Sequence, residues 1–76
     1  MSIHPASFGQ VIRHEREQHD WSQETLAEKA NLNRSYLGEL ERGEVVASLN
    51  TLVKLATAFQ LRLSTLLARC EDDIPA

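Results

Sequence analysis

Arg34, Ser35, Glu39 and Arg42 are the residues whose types and spacing could do chemistry. At about 100° per residue, Ser35, Glu39 and Arg42 fall on one face of a helix with Gly38 beside them, while Leu37 and Leu40 share the opposite face with Glu41 at its edge. The outer face carries no large apolar group, and Arg34 near the helix start supplies a forked donor that fits the edge of guanine or a phosphate. That chemistry is hydrogen-bond reading of another surface, with no bond made or broken. An ordinary solvated face has the same wheel. Gly38 argues against the ordinary reading, because a glycine inside a helix costs about 1 kcal/mol relative to alanine and calls for a reason such as close backbone approach to another surface.

Nothing else in the sequence is placed for catalysis or coordination. His4, His14 and His19 have no partner four residues away and no neighbouring Cys that would set two ligands on one helical face, so no metal site or cofactor is expected. The lone Cys70 can neither close an intrachain disulfide nor lead a metal cluster, which fits a reducing cytoplasm. No Ser, Cys or Lys sits in a motif that marks an activated nucleophile, so no enzyme is expected. No apolar run exceeds three residues (Val45 to Ala47, Leu66 to Ala68), and residues 1–5 lack the basic and apolar regions of a signal peptide. A cytoplasmic protein without a membrane span or secretion signal is predicted.

The elements that must position the outer face are helices. Only three Gly and two Pro interrupt 76 residues, and no β-branched or aromatic run alternates with polar residues, so one all-α domain over 1–76 is predicted. At this length a core buries only about 60% of the unfolded surface, which favours a partner subunit. Ser7 precedes Phe8, Val11 and Ile12 of a first helix ending near Gln18, and Trp21 packs before the chain restarts. Ser22 caps a second helix over Gln23 to Ala30. Asn31, Leu32 and Asn33 break it, Asn31 tolerating a left-handed backbone and Asn33 capping a third helix from Arg34 to Arg42 that stops at Gly43. Ser48 caps a fourth helix with Leu52, Leu55, Ala56 and Phe59 as its stripe. Gln60 to Leu63 connects to a fifth from Ser64 to about Arg69, and residues 71–76 form an acidic, solvated tail. Two short helices joined by a three-residue turn, residues 22–43, have the spacing of a helix-turn-helix, whose second helix lies in a DNA major groove.

The stretch Ser22-Gln23-Glu24-Thr25-Leu26-Ala27-Glu28-Lys29-Ala30, followed by Asn33-Arg34-Ser35-Tyr36-Leu37 and closed by Leu40-Glu41-Arg42-Gly43, resembles the helix-turn-helix of the lambda repressor and Cro family, also called the xenobiotic response element family. The resemblance extends from Phe8 through Leu67, and Asn33-Arg34-Ser35-Tyr36 is most similar to the controller proteins of restriction-modification systems. It implies a five-helix bundle that binds double-stranded DNA as a homodimer. It also implies that Gln23 bonds a phosphate from the second helix's N-terminus and braces the third helix, and helix N-termini do present free N–H groups to anions. By the same resemblance Arg34, Ser35 and Glu39 read bases, and Arg42 and Gly43 lie beside the phosphate backbone. Glu39 either accepts from cytosine N4 or pairs with Arg42 or Ser35, and Tyr36 either touches a thymine methyl or phosphate or is partial core. Arg16 and Glu41 match an ion pair that ties the first helix to the third. The family's dimer contact corresponds to Phe59, Leu61, Leu63, Leu66 and Leu67, which are otherwise core.

The sequence departs from the family pattern at Asn31, where a glycine is usual, and in Glu44-Val45-Val46-Ala47, which lacks basic residues. Net charge is −3, and without Glu71, Asp72 and Asp73 the eight remaining carboxylates equal the eight Lys and Arg. DNA affinity must therefore come from local placement of Arg34, Arg42 and Gln23; Arg13 and Lys54 are further cations with no motif behind them. The expected function is a homodimeric repressor or autoregulator on a palindromic operator. The alternatives are an antitoxin-type autorepressor and a protein-binding module that reuses the fold, the latter favoured by the acidic balance.

Overall fold

The computed structural model describes residues 5–71 as α1 (Pro5–Gln18), α2 (Gln23–Ala30), α3 (Arg34–Glu41), α4 (Leu49–Ala58) and α5 (Leu63–Glu71), with no strand among the described residues. The acidic tail beyond Glu71, and His4, lie outside them. None of these helices is long and apolar enough to cross a membrane.

Short polar side chains start the middle helices. Ser22 Oγ accepts the Thr25 amide at 3.1 Å, Asn33 Oδ1 accepts those of Ser35 (2.8 Å) and Tyr36 (3.2 Å), and Ser48 Oγ accepts that of Thr51 (3.1 Å). Such a cap satisfies amides with no partner inside the helix and is worth about 1 kcal/mol. The ends of α1 to α4 share one device. A left-handed residue follows (Asp20, Asn31, Gly43, Gln60), and the next amide bonds back five residues: Trp21 to Arg16 O, Leu32 to Ala27 O, Glu44 to Glu39 O and Leu61 to Ala56 O. Trp21, Leu32 and Leu61, the residues just past the left-handed turn, fold back onto the core. Glycine fills this position only once, at Gly43. The third helix stops at Glu41, with Arg42 as its cap, and the fifth begins at Leu63 rather than Ser64.

Ile12, Leu26, Leu37, Leu40, Leu55, Leu66 and Cys70 have no exposed surface and join Phe8, Ala27, Ala30, Ala56 and Phe59 in one core. Each large apolar side chain so buried stabilises the fold by about 1.5 to 3 kcal/mol. Phe59 and Leu66 thus belong to this core. Across the bundle, Glu15 on α1 pairs with Arg69 on α5.

Gly9 sets how closely α1 lies on α3. A β-carbon there would stand 2.5 Å from the Leu40 carbonyl oxygen and 2.6 Å from that of Glu41, against backbone that cannot rotate away. Gly9→Ala should therefore destabilise by about 1 to 3 kcal/mol through overpacking, despite the roughly 1 kcal/mol gain that alanine brings inside a helix. Thermal denaturation followed by circular dichroism checks this: a melting temperature equal to or above that of the unsubstituted protein would contradict the close approach.

Candidate nucleic-acid interface

Leu37 and Leu40 fix the inner face of α3, and its outer face opens onto a depression of about 370 Å3 lined by Gln23, Arg34, Ser35, Gly38, Glu39 and Arg42. The fold thus brings together five of the residues expected to face DNA, although Gln23 comes from α2. Two others lie elsewhere. Tyr36 is half-buried against the core with its Oη 3.2 Å from Thr51 Oγ1, so it ties α3 to α4 and does not line the depression. Gly43, at φ 76°, turns the chain out of α3.

Beneath this face lies a buried carboxylate. The Glu41 side chain is 3% exposed; its Oε2 accepts Arg16 Nε at 2.8 Å, and its Oε1 accepts Arg16 Nη2 and Gln23 Nε2, each at 3.0 Å. Arg16 also donates from Nη1 to the Trp21 carbonyl at 2.9 Å. The bond to Glu41, opposed by partial burial, raises the Arg16 pKa above its ordinary value. A carboxylate only accepts hydrogen bonds, so Gln23 must turn its amide nitrogen inward. One Nε2 hydrogen stays uncommitted to Glu41, beside the start of α2.

The outer cations are held loosely. Arg42 Nη2 bonds Glu44 Oε1 at 3.1 Å between exposed side chains, and Arg34 Nε lies 3.6 Å from Glu24 Oε1. Glu39, expected either to accept from cytosine N4 or to pair with Arg42 or Ser35, lines the depression, and Arg42 bonds Glu44. Arg13 pairs with Glu17 along α1, and Lys54 Nζ reaches the Asn31 carbonyl at 3.4 Å. Within the chain a β-carbon at Gly38 would meet only the movable Arg42 side chain, nearest at 3.1 Å. No neighbouring helix therefore demands that glycine.

Of the residues assigned to a dimer contact, Phe59 (3% exposed) and Leu66 (0%) are already buried within the protomer and have no surface to offer a partner. An i, i+3, i+4 stripe looks the same whether a helix packs on its own core or on a second copy. Leu61, Leu63 and Leu67 remain half-exposed. Among the described residues the large apolar side chains most exposed are Val46, Leu49 and Val53, none of them in the patch expected from the sequence. His19 is engaged in packing, its ring 4.3 Å from Trp21 and 5.5 Å from Phe59 and its Nδ1 2.8 Å from the Glu15 carbonyl.

Residues 12–66 match the helix-turn-helix family. The chain is similar to the immunity repressor protein of Bacillus phage phi105, at 42% identity over 60 residues that make up 79% of this chain but only 42% of that repressor. Among solved structures it is similar to the restriction-modification controller protein C.AhdI from Aeromonas hydrophila, with 44% identity, a TM-score of 0.78, and coverage of 82% of this chain and 94% of that one. It is also similar to SinR, the master regulator for biofilm formation, solved in complex with DNA: 34% identity, TM-score 0.73, 79% of this chain and 97% of that one.

The Arg16–Glu41 pair should act on folding as a unit. Removing either partner alone should cost about 3 to 5 kcal/mol, whereas replacing both with apolar residues of similar volume should cost far less. Denaturant titration of Arg16→Met, Glu41→Leu and the double variant measures the coupling, and additive losses would mean that the two do not interact.

Proposed function

The chain belongs to the helix-turn-helix family of transcription regulators, and from that membership we propose that it binds double-stranded DNA with α3 in the major groove, as a homodimeric, cytoplasmic repressor or autoregulator of a palindromic operator. The observation that carries this reading is the depression in which Gln23 of α2 meets Arg34, Ser35, Gly38, Glu39 and Arg42. Its work is recognition, not catalysis. The likeness to SinR, solved on DNA, supports it.

Each side chain then has a part. Arg34 directs its fork to guanine O6 and N7, Ser35 reaches a neighbouring base edge, and Glu39 accepts from cytosine N4. Gln23 gives its remaining Nε2 hydrogen to a phosphate beside the amides that open α2. Arg42 and Gly43 face the next phosphate. Tyr36, with its hydroxyl on Thr51, supports the register of α3 without reading bases. Gly38 keeps the outer face low where the DNA surface arrives. A gel shift with the DNA upstream of the protein's own gene tests the reading; no retardation at micromolar protein would shift preference to the protein-binding module.

Charge argues for two copies. A chain whose carboxylates outnumber its cations, eleven to eight, makes few phosphate contacts alone. Two recognition helices about 34 Å apart on one DNA face double those contacts, joined through the same patch on both subunits. Leu61, Leu63 and Leu67 are the members of that patch that keep exposed surface.

Arg34→Ala should cost about 1 to 3 kcal/mol on the operator and relax preference at one base position. Gln23→Ala should weaken all duplexes alike. Binding measured over single-base operator variants separates the two, and a uniform loss for Arg34→Ala would make it a phosphate contact. Leu63→Glu should give a folded monomer that binds far more weakly. Sedimentation equilibrium with and without operator checks this, and an unsubstituted protein that stays monomeric on operator would sink the dimer.

A further inference from the structure

Arg42 is the cation at the exit of α3, and backbone on both sides fixes its position. The Arg42 amide closes the helix on the Gly38 carbonyl at 3.1 Å, Gly43 turns left-handed, and the Glu44 amide returns to the Glu39 carbonyl at 2.9 Å. That closure sets the two side chains, two residues apart, on the same exposed corner with a 3.1 Å bond between Arg42 Nη2 and Glu44 Oε1. The guanidinium lies over Gly38, at the edge of the depression proposed to receive DNA. Arg42 in turn holds the Glu44 carboxyl below the usual carboxylate range. A pair this exposed contributes little to folding.

We propose that Glu44 is an affinity-determining residue of the DNA site: its carboxylate stands where a phosphate would, and Arg42 must exchange it for DNA on binding. The inference rests on the DNA-binding reading above. The exchange has a signature in salt. A free arginine that neutralises a phosphate releases counterion from the DNA, and each such contact adds about 0.9 to the slope of log K against log salt. An arginine that leaves a carboxylate gives up an attraction that salt itself weakens, which offsets part of that dependence. Glu44 therefore weakens operator binding and reduces the salt dependence of the Arg42 contact. Free backbone rotation is not needed, since the closed helix end keeps both groups within reach by side-chain rotation alone. In a chain without excess positive charge, this holds occupancy low until the protein accumulates, which suits an autoregulator.

The experiment uses the full chain and the upstream fragment of its own gene, titrated by fluorescence anisotropy from low to moderate salt. Glu44→Gln should raise affinity about two- to fivefold at low salt and steepen the salt slope measurably, by at most about 0.9. Glu44→Asp should stay near the unsubstituted protein. In an Arg42→Ala background, Glu44→Gln should lose most of both effects, because the carboxylate then has no arginine to hold. Unchanged affinity and slope for Glu44→Gln overturn the proposal while leaving DNA binding intact. Equal gains with and without Arg42 also overturn it, showing general repulsion of DNA instead. If the unsubstituted protein does not bind the fragment, the DNA reading fails and the proposal with it.

Discussion

The Glu41 carboxylate is the point on which the rest of the arrangement depends. Removed from water at the end of α3, it would be costly to bury alone, and the Arg16 fork and the Gln23 amide together offset that cost. In doing so they pin α1 and α2 to α3 at one place. Gly9 lies on the same side of α1 as Arg16, seven residues or about two turns earlier. Its missing side chain allows the backbone contact that brings α1 to α3. Close packing and ion pairing are therefore two parts of one junction, and the orientation of Gln23 follows from the junction rather than from its own local sequence.

Inner and outer faces of α3 carry opposite kinds of electrostatics. Underneath, Arg16 and Glu41 are nearly dry, with three donors on one acceptor group, and cannot exchange partners without opening the core. Above, Arg34 and Arg42 rest on exposed carboxylates at 3.6 and 3.1 Å, contacts that water and salt weaken and a ligand can replace. Rigid attachment and exchangeable surface lie a helix width apart, so the outer face can change partners while its position stays fixed.

What could be read from the sequence was whatever a single residue type decides locally. Ser22, Asn33 and Ser48 mark helix starts because a short polar side chain reaches the amides three residues on. Asn31 marks a left-handed turn for a similar reason. Asp20 is also a residue type that tolerates this conformation, whereas Gln60 adopts it with no sequence signal, its turn held by the apolar Leu61 that follows and packs. Gly9 reads as a flaw in a helix until the backbone opposite it is known. Glu15 and Arg69 are 54 positions apart and nothing local links them. Phe59 and Leu66 carry the right pattern for either core or interface, and only the packed chain separates the two. The junction at Glu41 was legible only through family resemblance, because 25 positions separate it from Arg16.

Because Leu37, Leu40 and Glu41, with Tyr36 on Thr51, anchor α3, Arg34, Ser35 and Glu39 have almost no duty toward the core. Substitutions at such surface positions usually alter stability by about 0.5 kcal/mol or less. In the DNA-binding reading proposed above, evolution can therefore rewrite the base preference of this helix one residue at a time without passing through unfolded intermediates. A duplicated copy of the gene could drift to a new operator while keeping every contact that makes it fold.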